Sequence, residues 1–296
     1  MAGNQPQEHQ VPTGVGLTAV AVAAARAAEA RRSDPLFDDP FAADFATAAG
    51  STLSFLGHQR PDPANNGDLW SWMTNYMPIR TRFFDDYFRE AAAAGCRQVV
   101  ILAAGLDTRA FRLSWPAGVR LFELDAPEVL AFKERVLAER AATPACERRA
   151  ISVDLREDWP GAVEQAGFHP GEPTAWLAEG LLIYLTQDEC GRLLDRIGQL
   201  SAPGSKLGIE YATRAAMQLM NDIMGNLPAA DFVKSLLRSE GQVDPTGWLD
   251  RNGWQTDNYS VSAVAESYGR SLPDFTSPLA RVAWTAEGGL IIAQRP

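Results

Sequence analysis

The sequence has few of the residues that build disulfide-rich or metal-bound folds. Three of its 296 residues are cysteines, Cys96, Cys146 and Cys190, and they show no CxxC spacing. Scattered thiols of this kind exclude a disulfide framework or a zinc site as the basis of the fold. A chain of this length can bury a core large enough to need neither. We therefore expect a protein of the reducing cytoplasm and predict no bound metal.

Long apolar runs are also missing. No stretch approaches the roughly 18 consecutive apolar residues of a membrane span. The alanine-rich stretch at 19–30 is interrupted by Arg26 and Glu29, which favours a water-exposed helix. The opening MAGNQPQEHQ has neither the basic nor the apolar region of a secretory signal. These features agree with a cytoplasmic location and predict no membrane partner.

Positive charge and histidine are scarce. The 27 basic residues stand against 37 acidic ones, which gives a formal net charge of −10. Because nucleic acids bind basic surfaces, we exclude nucleic acid as a partner. The three histidines, His9, His58 and His169, fall in a predicted tail, in the helical N-terminal region and in a loop. We expect them at the surface and assign none of them as a general base.

The pattern of the chain changes at Gln98. Residues 1–92 are typical of helices, whereas later apolar runs alternate with amphipathic segments. The runs are QVVILAA, VRLFEL, RAISV, TAWLAE and SKLGIEY. Such alternation predicts parallel strands covered by helices on both faces. We therefore divide the chain into a helical cap at 1–92 and an α/β core at 93–296.

The remainder of the core is predicted to contain a helical insertion and a final strand pair. A polar, methionine-rich stretch at about 212–243 indicates the insertion, and QTDNYSVSAV and GGLIIAQR indicate the two strands. DPTGWLDRNGW predicts a short helix between the insertion and the strand pair. Thr186 and Glu189 form a capping box that begins a helix after the fourth strand. The predicted fold is a doubly wound, mostly parallel sheet of seven strands.

The first predicted strand ends at a turn with few glycines. In VVILAAGLDTRAFRL only Gly105 is present, where a dinucleotide-binding GxGxxG turn has three glycines. Those glycines let the backbone approach a pyrophosphate. A ligand without phosphate needs only one close approach. Since ligands of open α/β sheets bind at the carboxyl ends of the strands, Gly105 and Asp107 are the first candidate site residues.

Acidic residues also follow the next two strands. Asp125 lies 20 residues after Gly105, the spacing of a carboxylate that binds both ribose hydroxyls. The alternatives are Glu123 in that role, or Asp125 as a simple helix cap. Asp154 and Leu155 end the third strand, where they would meet the adenine amino group and a ring face. The alternative is that they merely end the strand in a loop.

A ligand with ribose and adenine but no phosphate is S-adenosylmethionine. Its sulfonium is favoured by acidic side chains, and Asp107 and Glu179 would supply that charge or accept from the amino group of the ligand. One rival function is an NAD-dependent oxidoreductase, which needs the missing glycine-rich turn. A second rival is a non-catalytic S-adenosylmethionine-binding regulatory module, because fold and cofactor do not guarantee activity.

Several segments resemble one known family. QVVILAAGLDTRAFRLSWP, LFELDAPEVLAFK, SVDLREDWP and AEGLLIYLTQDE are similar to the leucine carboxyl methyltransferase-type family of S-adenosylmethionine-dependent methyltransferases, particularly its actinobacterial small-molecule branch. VGLTAVAVAAARAAEARRSDPLFDDPFA and RTRFFDD resemble it too, so the resemblance spans about 14–211. It implies a Rossmann-like class I methyltransferase with an N-terminal helical cap.

The resemblance also implies roles for two arginines. Arg80 resembles the arginine that binds the methionyl carboxylate of the cofactor, and Arg26 resembles a second basic contributor. Arginine suits a carboxylate because it donates two parallel hydrogen bonds. Arg82, two residues after Arg80, cannot share its helix face and is expected to be salt-bridged or exposed. The family usually has glycine where this chain has Ala103.

The same resemblance assigns the remaining cofactor contacts. It gives Asp125 to the ribose and Asp154 with Leu155 to the adenine. It gives Glu179 to the methionyl amino group. The expected cofactor is therefore S-adenosylmethionine, held at the ends of four successive strands.

The acceptor side is predicted from residues beyond the fourth and fifth strands. Tyr184 would orient an acceptor through its hydroxyl, or would simply be a half-buried tyrosine. Tyr211 and Arg214 would face the acceptor and neutralise its charge. Since a carboxylate needs no general base, the lack of suitable histidines favours O-methylation of a small carboxylate-bearing metabolite, or of a hydroxyl. The methionines at 217–224 and the aromatic segment LWSWMTNYM indicate a pocket wall or simply core. We expect a monomer or a homodimer.

Overall fold

The fold is built on one twisted sheet of seven strands. The computed structural model describes residues 11–50, 69–212, 245–272 and 289–296. The strands are β1 (Gln98–Leu102), β2 (Arg120–Asp125), β3 (Glu147–Ser152), β4 (Thr174–Ala178), β5 (Lys206–Glu210), β6 (Gln255–Ser260) and β7 (Gly289–Gln294). Their order is β3-β2-β1-β4-β5-β7-β6. The first five are parallel, and β7 runs antiparallel to both β5 and β6. This confirms the predicted sheet.

The strand order fixes where a ligand can bind. The chain proceeds outward from β1 to β3 and then returns to β4 on the other side of β1. At such a reversal the loops after β1 and β4 diverge and leave a crevice at the carboxyl ends of the strands. Every residue of β1 and β4 is buried, as expected for central parallel strands covered on both faces.

Helices cover both faces of the sheet. They are α1 (Val15–Glu29), α2 (Ala42–Ala49), α3 (Leu69–Ala93), α4 (Arg109–Arg112), α5 (Pro127–Glu139), α6 (Trp159–Gln165), α7 (Gln187–Gln199), α8 (Thr246–Arg251) and α9 (Val261–Ser267). A single 3₁₀ turn at Leu182–Tyr184 follows β4. The capping box at Thr186 is present at the start of α7, and the predicted short helix is α8. Among the described residues, no helix is long and apolar enough to cross a membrane.

Alternation along the strands divides the core into two layers. On one face, Val99 and Ile101 pack with residues of α1, α2, α3 and α5. On the other face, Val100 and Leu102 pack with residues of α6 and α7. Successive side chains of a strand point to opposite faces, so one apolar strand serves both layers. The N-terminal helices therefore share a core with the sheet, and the division of the chain at residue 92 stays a prediction.

One predicted strand is shorter than expected. The segment QTDNYSVSAV forms β6 only as far as Ser260, and the rest of it is the start of α9. The Ser260 side chain accepts a hydrogen bond from the backbone N–H of Ala263, which is the geometry of an N-cap. Prediction of a strand through Val264 was wrong because this serine begins a helix. The predicted insertion lies, from residue 213 onward, outside the described residues.

Candidate functional site

A cavity of about 560 Å³ lies at the carboxyl ends of β1, β2, β4 and β5, and α1 and α3 close it from above. Eight of the predicted site residues line it. They are Arg26, Arg80, Gly105, Asp107, Asp125, Glu179, Tyr184 and Tyr211. No cluster of metal ligands occurs in the described part of the chain. Because it gathers these predicted residues, the cavity is the candidate site.

The turn after β1 brings the backbone close to helix α1. Ala103 and Gly105 have φ angles of 50° and 51°, in the left-handed region. A Cβ atom on Gly105 would lie 3.2 Å from the Cβ of Ala19 in α1. Gly105 is thus required both by its backbone conformation and by the close approach of the cap. Ala103 adopts the same conformation with a side chain, which explains why glycine is usual at that position.

Asp125 ends β2 and lines the cavity. Its carboxylate accepts hydrogen bonds from the backbone N–H of Gly105 at 2.5 Å and of Ala126 at 2.7 Å. Burial raises its pKa despite these two donors. The alternative residue, Glu123, is fully buried and ion-paired with Lys133 and Arg148 at 2.5 and 2.7 Å. Because Glu123 does not line the cavity, Asp125 is the better candidate for a ribose contact.

Arg80 is a cation of the cavity wall and lies beside the ends of β4 and β5. It lies on α3, is 6% exposed, and its Nη1 donates to Oε2 of Glu210 at 2.7 Å. Its Nε lies 2.8 Å from Oε1 of Glu179, although the N–H is not directed at that oxygen. Burial disfavours the guanidinium charge, but the two carboxylates outweigh it and raise the pKa of Arg80. Arg80 is therefore a fixed cation.

Arg109, at the start of α4, joins three carboxylates. It is 2% exposed and pairs with Asp85 at 2.7 Å, with Asp107 at 2.5 Å and with Glu179 at 2.7 Å. Burial alone would raise the pKa of Asp107, but the charge of Arg109 outweighs it and the pKa falls to about 2. Arg112 pairs with the other oxygen of Asp85 at 2.5 Å. Asp107 is thus held as an anion.

The cluster around these arginines carries a net charge. Five carboxylates and four guanidiniums leave it at −1 when all are ionised. The carboxylates belong to Asp39, Asp85, Asp107, Glu179 and Glu210, and the guanidiniums to Arg26, Arg80, Arg109 and Arg112, with Asp39 pairing both with Arg26 at 2.8 Å and with Arg112 at 3.9 Å. Such a buried cluster favours a ligand that brings one positive charge.

Arg26 lines the cavity from α1 but is already engaged. Its Nε donates to Asp39 at 2.8 Å and its Nη2 donates to the backbone carbonyl of Leu106 at 2.6 Å. These bonds tie the first helix to the turn after β1. The predicted contact of Arg26 with a cofactor stays a prediction. Arg82 is ion-paired with Asp86 at 2.8 Å and is partly exposed, as expected.

The structure does not bring Asp154 and Leu155 to the cavity. They follow the edge strand β3, where the guanidinium of Arg156 binds both oxygens of Asp154 at 2.5 to 3.1 Å. That hydrogen-bonded pair lowers the pKa of Asp154. Neither residue is among those that line the cavity. Their assignment to adenine stays a prediction.

Tyrosine hydroxyls are a further polar feature of the cavity wall. The Tyr184 hydroxyl donates to Oγ1 of Thr18 in α1 at 3.2 Å, and the Tyr76 hydroxyl donates to Oε1 of Glu210 at 2.5 Å. Burial is the largest cause that raises the pKa of both phenols. Tyr211 lines the cavity beside them. Arg214, the third predicted acceptor residue, lies outside the described residues.

Sequence reasoning missed Glu210 and Arg109, and it included Tyr76 only in the aromatic segment predicted as pocket wall or core, without its contact to Glu210. Glu210 ends β5, so the strand-end rule that selected Asp125 would have selected it as well. Arg109 and Tyr76 carry no such signal, because Tyr76 meets Glu210 across 134 positions of the chain.

Comparison with known proteins agrees with this architecture. A crystal structure of a "putative methyltransferase" from Thermobifida fusca YX superposes with a TM-score of 0.56 at 16% identity, covering 98% of this chain and 97% of the other. That similarity establishes the fold.

Sequence relatives cover most of the chain. A "putative S-adenosyl-L-methionine-dependent methyltransferase" of Frankia alni is 48% identical over 88% of this chain and 90% of the relative. A relative of the same description from Saccharopolyspora erythraea is 43% identical over 98% of both chains. The profile of the leucine carboxyl methyltransferase family matches residues 19–198. This chain belongs to the leucine carboxyl methyltransferase family.

Proposed function

We propose that this S-adenosylmethionine-dependent methyltransferase methylates an oxygen of a small metabolite, and that the acceptor is a carboxylate. The proposal rests on the charge state of the cavity wall. Asp107, Asp125, Glu179 and Glu210 are bound by arginines or backbone amides, and the Tyr76 and Tyr184 hydroxyls are protonated donors.

The residues of the cavity fit the cofactor. S-adenosylmethionine, when bound, supplies a methyl group on a positively charged sulfonium. Its methionyl end carries a sulfonium, an ammonium and a carboxylate, which together amount to one positive charge. The cluster of Arg80, Arg109 and their partners carries the opposite charge. The turn at Gly105 presents backbone without the three glycines that a pyrophosphate site uses.

Three side chains are proposed to hold the cofactor. Asp125 would accept from the ribose hydroxyls, because both of its oxygens are already oriented by backbone amides at the cavity edge. Arg80 would bind the methionyl carboxylate with its planar guanidinium. Glu179, fixed between Arg80 and Arg109, would accept from the ammonium.

The protonated tyrosines favour an acceptor that is already an anion. Tyr184 has a pKa raised by burial, so near neutral pH it donates a hydrogen bond and does not remove a proton. Asp107 and Glu179 are tied to Arg109 and are poor proton acceptors. A carboxylate acceptor needs hydrogen-bond donors to orient one of its oxygens. Its other oxygen can accept the methyl group without a general base, because the group is already ionised. Methyl transfer to it then depends on positioning and on exclusion of water.

The helices of the N-terminal region exclude water from the cavity. Helices α1 and α3 place Thr18, Val22, Trp72 and Met73 over the strand ends. A low-polarity wall beside the sulfonium strengthens every electrostatic interaction inside the cavity. The apolar lining is also suited to a small organic acid.

The proposal is tested with methyl-labelled S-adenosylmethionine and matched acceptor pairs. Each carboxylic acid is assayed beside its alcohol and its amine, for example benzoic acid, benzyl alcohol and benzylamine. We expect label only in the acids, released as methanol by mild base because it is an ester. Label that enters amines, or that resists base, would contradict the proposal. The rival non-catalytic module would bind S-adenosylhomocysteine and transfer no label to any pair or to a metabolite extract.

A further inference from the structure

We propose that Glu210 is a positioning residue that orients Arg80 for the methionyl carboxylate, with Tyr76 fixing Glu210 in turn. The inference rests on the proposed role of Arg80. It assigns a function to the end of β5, which neither the sequence patterns nor the family similarity identified.

Glu210 makes three hydrogen bonds, two to side chains of α3 and one to the turn after β4. Its Oε2 accepts from Nη1 of Arg80 at 2.7 Å and from the backbone N–H of Gly180 at 2.6 Å. Its Oε1 accepts from the hydroxyl of Tyr76 at 2.5 Å. The carboxylate therefore links α3, the turn after β4 and the end of β5 at one point of the cavity wall.

The two donors from α3 are arranged so that both reach this one carboxylate. Tyr76 and Arg80 are four residues apart, so they lie about one helical turn apart on the same face of α3. The Arg80 guanidinium carbon lies 5.8 Å from the centre of the Tyr76 ring. Glu210 closes this pair into a triangle in which the ring, the guanidinium and the carboxylate restrain one another. A single contact would leave the long arginine side chain several rotamers.

The orientation of Arg80 matters because its ligand is bidentate. A guanidinium donates two parallel hydrogen bonds to a carboxylate only when both planes are aligned. Glu179 cannot fix that plane alone, since the Arg80 N–H nearest to it does not point at its oxygen. Glu210 binds a different nitrogen, Nη1, and so removes the remaining rotation. Gly180, with φ of 64°, lets its N–H reach the same carboxylate.

The test measures what the methionyl carboxylate contributes to binding. Calorimetric titration gives Kd for S-adenosylmethionine and for decarboxylated S-adenosylmethionine, which differ only in that group. The ratio of Kd for decarboxylated S-adenosylmethionine to Kd for S-adenosylmethionine cancels any general change in the field of the site. We expect Glu210→Gln to lower the ratio about tenfold, the loss of one charged hydrogen-bond arrangement. Tyr76→Phe should lower it in the same direction by a smaller factor.

Two further variants separate this inference from the proposals on which it depends. Arg80→Ala should bring the ratio of the two Kd values close to one. In the Arg80→Ala background, Glu210→Gln should then change the ratio no further. If Arg80→Ala leaves the ratio unchanged, the role of Arg80 itself fails. The test needs no acceptor, so its outcome is independent of the proposed carboxylate specificity.

Two controls separate the expected effect from a change in net charge and from a loss of folding. Glu266→Gln on α9 changes the net charge equally at an exposed position and should leave the ratio unchanged. Thermal unfolding of each variant reports whether the fold is retained, and Tyr76→Phe keeps the inference testable if Glu210→Gln unfolds. An unchanged ratio in folded Glu210→Gln would overturn the proposal.

Discussion

The carboxylate of Asp125 accepts a hydrogen bond from the backbone N–H of Gly105 at 2.5 Å, which joins the ends of β2 and β1. The two residues are 20 positions apart, the spacing expected of a ribose-binding carboxylate. The bond orients one carboxylate oxygen along the cavity edge. Asp125 is thus positioned before any ligand arrives.

Asp125→Asn tests the ribose contact. The amide keeps the size of the side chain but loses the charge and one acceptor oxygen. We expect the affinity for S-adenosylhomocysteine to fall by about 2 kcal/mol, or roughly thirtyfold, because hydrogen bonds to charged groups have this magnitude. Calorimetric titration measures it. Asp257→Asn, at an exposed position of β6, serves as the control, and equal affinities in the two variants would contradict the assignment.

A matched pair of arginines on α3 tests the carboxylate contact. Arg80 is buried in the cavity wall, whereas Arg82 is partly exposed and paired with Asp86. Arg80→Lys keeps the charge and removes the planar fork, so we expect about a tenfold loss of S-adenosylmethionine affinity. Arg82→Lys should have no effect on binding. A larger loss from Arg82→Lys than from Arg80→Lys would show that the wrong arginine was chosen.

The strand ends of this fold could be predicted because they depend on local patterns. Buried parallel strands are continuous apolar runs, and the residue after such a run lies at the ligand edge. That rule located Gly105, Asp125 and Glu179 from the sequence. The rule does not bring Asp154 to the cavity wall, because β3 is an edge strand and Arg156, two residues further, binds the carboxylate there, so its assignment to adenine stays a prediction.

The ion-pair network could not be predicted from spacing. Arg80 meets Glu210 across 130 positions and Arg109 meets Glu179 across 70. Such pairs depend on how α3 and α4 pack over the sheet, which no local period encodes. The bonds of Arg26 to Asp39 and to the carbonyl of Leu106 are likewise not encoded by local spacing.

The ion pair between Asp107 and Arg109 predicts an acid-dependent loss of stability. The pKa of Asp107 is about 2 in the folded protein against an ordinary value of 3.8. A lowered folded-state pKa stabilises the fold above the unfolded value, and this stabilisation is lost as the pH falls toward 2. Between pH 5 and pH 3 the loss from this one group is about 1 kcal/mol.

Urea unfolding at both pH values measures this effect. Asp107→Asn should have a free energy of unfolding that falls by about 1 kcal/mol less than that of the unaltered protein over the same interval. Asp257→Asn is again the control and should follow the unaltered protein. If Asp107→Asn shows the full pH dependence, the carboxylate does not have the lowered pKa that its contact with Arg109 implies.

The left-handed backbone at Ala103 predicts that glycine is more stable there. Ala103 and Ala141 are the non-glycine residues with positive φ among the described positions, at 50° and 48°. A side chain in this region costs roughly 1 kcal/mol or more, and part of that is offset by the greater freedom of glycine in the unfolded chain. Ala103→Gly and Ala141→Gly should each raise the unfolding free energy by up to about 1 kcal/mol, measured by urea titration.

Of these two residues only Ala103 lines the cavity, so only its replacement can also alter cofactor affinity. We expect no weakening of cofactor binding, because the turn gains space. A destabilised Ala103→Gly beside a stabilised Ala141→Gly would mean that the Ala103 methyl group contributes more to packing against the core layer of α6 and α7 than its conformation costs.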